Sequence, residues 1–158
     1  MTKDRGYTAR NDTERARLQS LVATCTDADL ARQMPAGWTV AGVLEHMAFW
    51  DQRILVLLEQ WQSTGVAPRP EIHADVDWIN DAAKPMLLAV PVRAAAELAV
   101  AIAEAVDARV AALPDDLVDG DIAAGTLNLS RADHRGEHLD QIERVLRTGG
   151  SAGSSTDW

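Results

Sequence analysis

An all-α four-helix bundle is the fold class this sequence predicts. Apolar residues recur at three- and four-residue steps through most of the chain. The strands that an α/β fold would need are absent. Four long helical segments remain between the breakers, and a bundle is the common way to bury their apolar faces.

Residues 1–8 are polar and expected to be loose. The first helix starts near Asn11 and ends near Thr26. Its stripe is Leu18, Leu21, Val22 and Cys25, with Glu14, Arg15 and Arg17 off it. Cys25 reads as a small core residue, since no motif activates it. Residues 27–38 form a connector that Pro35 and Gly37 break.

Thr39 is the expected N-cap of a second helix that runs to about Ser63. Val43, Met47, Trp50, Ile54, Leu57 and Trp61 alternate steps of four and three, a bundle seam. At about 100° per residue His46 falls on the edge of that stripe, beside Trp50 and Leu57. Glu45 points away from it and is expected to be exposed.

Residues 64–74 read as a loop, with His73 a surface histidine at its end. The third helix begins near Asp75, with Val76, Ile79, Ala83, Met86 and Leu87 inward. Asn80 shares that face, so its amide either satisfies nearby backbone or lines a polar pocket. Trp78 points to the opposite side. Pro85 predicts a kink and Pro91 a break. An alanine-rich helix then runs from Val92 to Leu113, with Leu98, Ile102, Val106 and Val110 in step and Asp107 among the polar residues beside them.

Residues from Leu113 to Leu129 read as a loop, with no EF-hand spacing in its acidic residues. Ser130 is the expected N-cap of the last helix, with Asp133 completing a weak capping box. Leu139, Ile142, Val145 and Leu146 give that helix its apolar face, and Gly149-Gly150 ends it. The expected domain is 1–148, followed by a disordered tail over 149–158.

The chain has 158 residues, enough to bury roughly 70% of the surface its unfolded form exposes. Net charge is −9, which argues against nucleic acid or an anionic membrane as partner. No apolar run approaches a membrane span of ~18 residues, and the N-terminus lacks the apolar core of a signal peptide. A cytoplasmic protein is the expectation. The single cysteine excludes an internal disulfide.

The chemistry-bearing stretch is His134-Arg135-Gly136-Glu137-His138. Residues i and i+4 of a helix lie on one face a turn apart, so two imidazoles there can grip one metal ion. The bland alternative is one surface and one satisfied core histidine. The five residues also match H-x-x-E-H, in which Glu137 would be a general base, but too little chain follows for a downstream acidic ligand. A di-iron carboxylate site needs Glu-x-x-His motifs, and the chain has none. His46 could complete a three-histidine site with positions open for water or substrate. Gly136 falls away from the histidine pair, either as a tolerated surface glycine or where another backbone comes close.

The run Trp38-Thr39-Val40 through Leu44-Glu45-His46, with Trp50-Asp51 after it, resembles the second helix of the DinB/YfiT-like superfamily. The closing His134-x-x-x-His138-Leu-x-Gln-Ile is similar to that family's last helix, and Val76-Asp77-Trp78-Ile79-Asn80 to the start of its third. The resemblance covers most of residues 10–148. It implies a four-helix bundle with a long crossover between helices two and three. It also implies a divalent metal, zinc or nickel, on His46, His134 and His138. Relatives of that kind include mycothiol-dependent maleylpyruvate isomerase and bacillithiol transferases. The expected function is therefore metal-dependent chemistry on a small molecule: thiol transfer or isomerisation with a low-molecular-weight thiol such as mycothiol as co-substrate, or hydrolysis. A bundle that binds metal or ligand without turnover is the alternative. Asn80, Glu137 and Trp50 are the candidates for touching substrate or supporting the ligands. A homodimer is expected from the resemblance and the outward Trp78.

Overall fold

The computed structural model describes residues 5–69, 73–124 and 127–149; the side chains of residues 73, 74 and 122–124 fall outside that description. The elements are α1 (Gly6–Thr24), α2 (Asp27–Leu30), β1 (Gln33–Met34), a 3-10 turn (Pro35–Gly37), β2 (Trp38–Thr39), α3 (Val40–Thr64), α4 (His73–Leu87), α5 (Val92–Ala111), α6 (Asp115–Ala124) and α7 (Arg131–Thr148). The four long helices α1, α3, α5 and α7 form the bundle, with α1 and α3 each packed on both α5 and α7. The crossover from α3 to α5 carries α4, which packs on α3. The strands are a two-residue antiparallel pair in the connector, with Met34 opposite Trp38. Among the described residues no helix is long and apolar enough to cross a membrane.

The start of α1 lies earlier than its stripe predicts. Arg5 donates to the carbonyls of Ala111 and Leu113 and to Asp115, tying the chain to the end of α5 before the apolar residues begin. Helix α3 starts as expected: Thr39 Oγ1 accepts from Gly42 N at 3.0 Å. Gly42 permits a close approach, because a Cβ there would stand 2.6 Å from Leu88 Cδ2 of the crossover.

Several expected faces turn out differently. Glu45 is buried, because residues 40–48 of α3 are covered on every side by the connector, the crossover and the bundle. Burial pushes its carboxyl above the ordinary range. Met86 is 67% exposed: α4 packs on α3 and presents only a narrow face centred on Ala83. Helix α4 continues through Pro85, and the break comes after Leu87. On α5 the buried face is Ala95, Ala96, Ala99 and Ala103, then Val106, Asp107 and Val110, while Leu98 is 41% exposed. In the first half of α5 alanines face the neighbours and Leu98 sits at the margin, while in the second half Val106 and Val110 are buried as expected.

The supposed loop after Leu113 contains α6. Asp115 and Asp116 sit in its first turn, where negative charge favours the helix dipole, and Val118 anchors it in the core. Gly125, expected in that loop, lies outside the described residues. The cap of α7 also differs. Ser130 Oγ bonds Asp133 Oδ2 and caps no backbone group. The cap comes from α1 instead: buried Asn11 accepts from Ala132 N at 2.9 Å and donates to Leu129 O at 3.0 Å.

The core divides in two. One apolar cluster joins Leu18, Leu44, Met47, Ala99, Leu139 and Ile142. The other joins Ile54, Leu58, Trp61, Val106, Val110 and Val118. Along α3 the first ends at Ala48 and the second begins at Ile54, with Asp51 between them.

Candidate metal centre

Helix α3 presents His46 in its second turn, and α7 presents His134 and His138 one turn apart. The three rings converge. Nε2 of His134 lies 3.4 Å from Nε2 of His46 and 3.2 Å from Nε2 of His138. One ligand atom from each histidine lies within 4.8 Å of the other two. Tetrahedral ligands at 2.0–2.1 Å from an ion stand about 3.3–3.4 Å apart. The two separations from His134 match that spacing, and the cluster as a whole suits a divalent metal on three imidazoles.

Hydrogen bonding alone does not account for the cluster. A neutral imidazole has one donor and one acceptor nitrogen. Nδ1 of His46 and Nδ1 of His134 are buried with no partner among the described residues. His138 Nδ1 lies 3.0 Å from Gln141 Oε1, which accepts its proton and leaves Nε2 the lone pair facing the other rings. Three neutral imidazoles converging through their Nε2 atoms form a donor set that a divalent cation can take up.

Electrostatics keep the rings in the metal-binding form. Burial, and then the neighbouring His138, lower the His46 pKa to about 4. Burial lowers His134 further, helped by His138, Arg131, His46 and Arg135. Both imidazoles are thus neutral at ordinary pH.

Aromatic residues hold His46 from two sides. Trp38 meets it edge-on with centroids 5.7 Å apart, and Trp50 does so at 6.4 Å. Trp50 Nε1 donates to Asn80 Oδ1 at 2.9 Å, so the half-buried Asn80 is satisfied by a side chain rather than by backbone. Lys84 of α4 donates to Ala36 O and lies 5.0 Å over the Trp38 ring, fastening α4 to the 3-10 turn. Ala36 adopts φ 57°, an uncommon left-handed conformation for a residue with a side chain.

Two clefts reach the histidines. The larger, of about 740 Å³, touches His46 and His138 between Trp38 and Val43 on one wall and Asp77, Asn80 and Asp81 on the other, with Arg144 on α7. The smaller, of about 430 Å³, touches all three histidines together with Trp50, Asn80, Arg131 and Glu137. Glu137 is exposed and belongs to this smaller cleft. The backbone of His73 opens α4 in the crossover, and its side chain lies outside the described residues.

Sequence reasoning missed the polar residues beneath the site. Arg135 is fully buried. It donates twice to Asp51 Oδ2, at 2.9 and 3.0 Å, and in a fork to both oxygens of Asp107, each at 2.8 Å. Arg131 donates to the other Asp51 oxygen at 2.7 Å, and Arg15 of α1 to Asp107 at 2.7 Å. The available signal was the Arg131-x-x-x-Arg135 spacing, which repeats that of the histidines three positions earlier.

The DinB superfamily profile matches residues 10–142. No curated protein and no solved structure matches the chain.

Proposed function

The chain belongs to the DinB superfamily, and on that premise we propose that it is a metal-dependent enzyme acting on a small molecule, with His46, His134 and His138 holding one divalent ion, zinc or nickel. The observation that carries this reading is the convergence of the three rings: His134 Nε2 stands 3.4 Å from His46 Nε2 and 3.2 Å from His138 Nε2, with one ligand atom of each histidine within 4.8 Å of the others. An ion held by these three imidazoles would supply Lewis acidity and would lower the pKa of a water or thiol.

The chain's own residues supply the rest. Burial keeps His46 and His134 deprotonated at neutral pH. Gln141 fixes the tautomer of His138. Trp38, Trp50 and Val43 wall the clefts with apolar surface. Asn80 Oδ1 is engaged by Trp50, so Nδ2 is the atom left to donate to a substrate carbonyl or anion. Glu137 stands in the smaller cleft as an acceptor for a substrate proton. The chemistry that fits is transfer or isomerisation with a low-molecular-weight thiol such as mycothiol, or hydrolysis. The exposed Trp78 of α4 supports a homodimer; light scattering that returned a 17.1 kDa monomer would contradict it.

The test is to load the purified protein with Zn²⁺ or Ni²⁺ and assay it with thiols plus electrophiles, and separately with hydrolysable esters and amides. Turnover that needs the metal and vanishes in His46→Ala is the expected result. Tight metal binding with no turnover of either class would replace this reading with that of a non-catalytic binding bundle.

A further inference from the structure

We propose that the buried Arg135–Asp51–Asp107 network is a positioning device: it sets the rotation of α7 about its axis and so determines whether His134 and His138 meet His46. The inference rests on the metal-centre reading and adds to it residues that touch no ligand.

Geometry is the first ground. Arg135 lies between the two histidines in sequence, so any roll of α7 that moves its guanidinium moves both rings. That guanidinium is planar and rigid, and it is forked onto Asp107 of α5 while bonded twice to Asp51 of α3. Arg131, one turn earlier on the same helix, takes the remaining Asp51 oxygen. Helix α7 is thus keyed at two successive turns to the helix that carries His46. Leu139 and Ile142 also hold α7 in place, but apolar contact is non-directional and tolerates small rolls.

Energetics is the second ground. Burying ion pairs costs much of what their attraction returns, and apolar replacements are often as stable or more so. A four-helix bundle has no need of two arginines and two aspartates in its interior for stability. Fixing register is the best-attested use of such groups. Here the fixed element is the one that must bring His134 Nε2 to within 3.4 Å of His46 Nε2 on α3.

The experiment uses Co²⁺ as the probe, because its visible absorption reports coordination geometry. Full-length wild type is compared with Arg135→Lys, which keeps the charge but loses the fork, and with Asp107→Asn, which touches Arg135 but no histidine. Val118→Ala, in the other apolar cluster, serves as a control matched for lost stability. The expected result is a Co²⁺ spectrum altered in both network variants and affinity lowered by roughly ten-fold, the low end for residues that support ligands from behind, with the control unchanged at equal loss of melting temperature. If Arg135→Lys fails to fold, Asp107→Asn decides. Unaltered spectra and affinity in the network variants, or equal changes in the control, would overturn the proposal. Wild type that binds no Co²⁺ would overturn the metal-centre reading and this inference with it.

Discussion

Helix α7 carries Arg131 and Arg135 on one face and His134 and His138 on the neighbouring face, each pair one turn apart. The arginines point into the bundle, where Asp51 and Asp107 meet them with bonds of 2.7–3.0 Å. The histidines point toward the clefts, where two buried Nδ1 atoms go unpartnered among the described residues and three Nε2 atoms crowd together. A buried charge must be fully paired or the fold fails. A neutral imidazole can be left incomplete at lower cost, and the convergence of Nε2 atoms marks where an ion fits.

The largest effect expected from breaking one side is on metal affinity. His134→Ala should reduce it by more than about 100-fold, beyond the 10–100-fold typical of supporting residues, measured by competition with a chelator. The metal-free stability of that variant should change far less than its affinity.

Breaking the other side should do the reverse. Arg135→Ala leaves Asp51 and Asp107 without their shared partner and should cost about 3–5 kcal/mol in denaturant unfolding. Retained stability would mean that water or rearranged arginines satisfy the two carboxylates.

The pH dependence of the metal-free protein probes the histidine side, with buried Glu45, whose pKa is raised, contributing in the opposite direction. The folded-state pKa of His46, about 4, lies below its ordinary value of 6.5, so the unfolded chain binds a proton that the folded chain refuses. Stability is therefore complete above pH 6.5 and falls as pH drops from 6.5 toward 4, by on the order of 3 kcal/mol at 1.36 kcal/mol per unit. His134 adds in the same direction. Unfolding measured across that window should show the loss, and bound metal should suppress it; a flat profile would mean that the rings are solvated.

The smallest effect expected is at Gly136, between the two faces. A Cβ there would lie 3.5 Å from Glu14 Cδ of α1, ordinary contact distance. Gly136→Ala should stabilise the helix by up to about 1 kcal/mol and leave metal content unchanged. A lower melting temperature would show that α1 and α7 need the closer approach.

The same contrast explains what could be read from the sequence. The bundle was legible because apolar period and helix breakers are local signals: the α3 seam and its Thr39 cap follow directly from them. The histidine pair was legible because histidine is scarce in this chain and the i, i+4 spacing is specific. Arg131 and Arg135 have the same spacing, but arginine on a helix is ordinarily solvated, and their partners Asp51 and Asp107 are far away in sequence. Asn11 capping α7 is hidden for the same reason. Glu45 was misplaced because a helical wheel assumes one free face, and the first turns of α3 have none. Helix α6 was missed because it is short and interrupted by Gly120.

X-ray absorption on protein loaded with one Zn²⁺ per chain tests the central claim most directly. Three imidazole nitrogens are expected at about 2.0–2.1 Å, falling to two in His46→Ala. A metal shell without imidazole, or one that His46→Ala leaves unchanged, would contradict it.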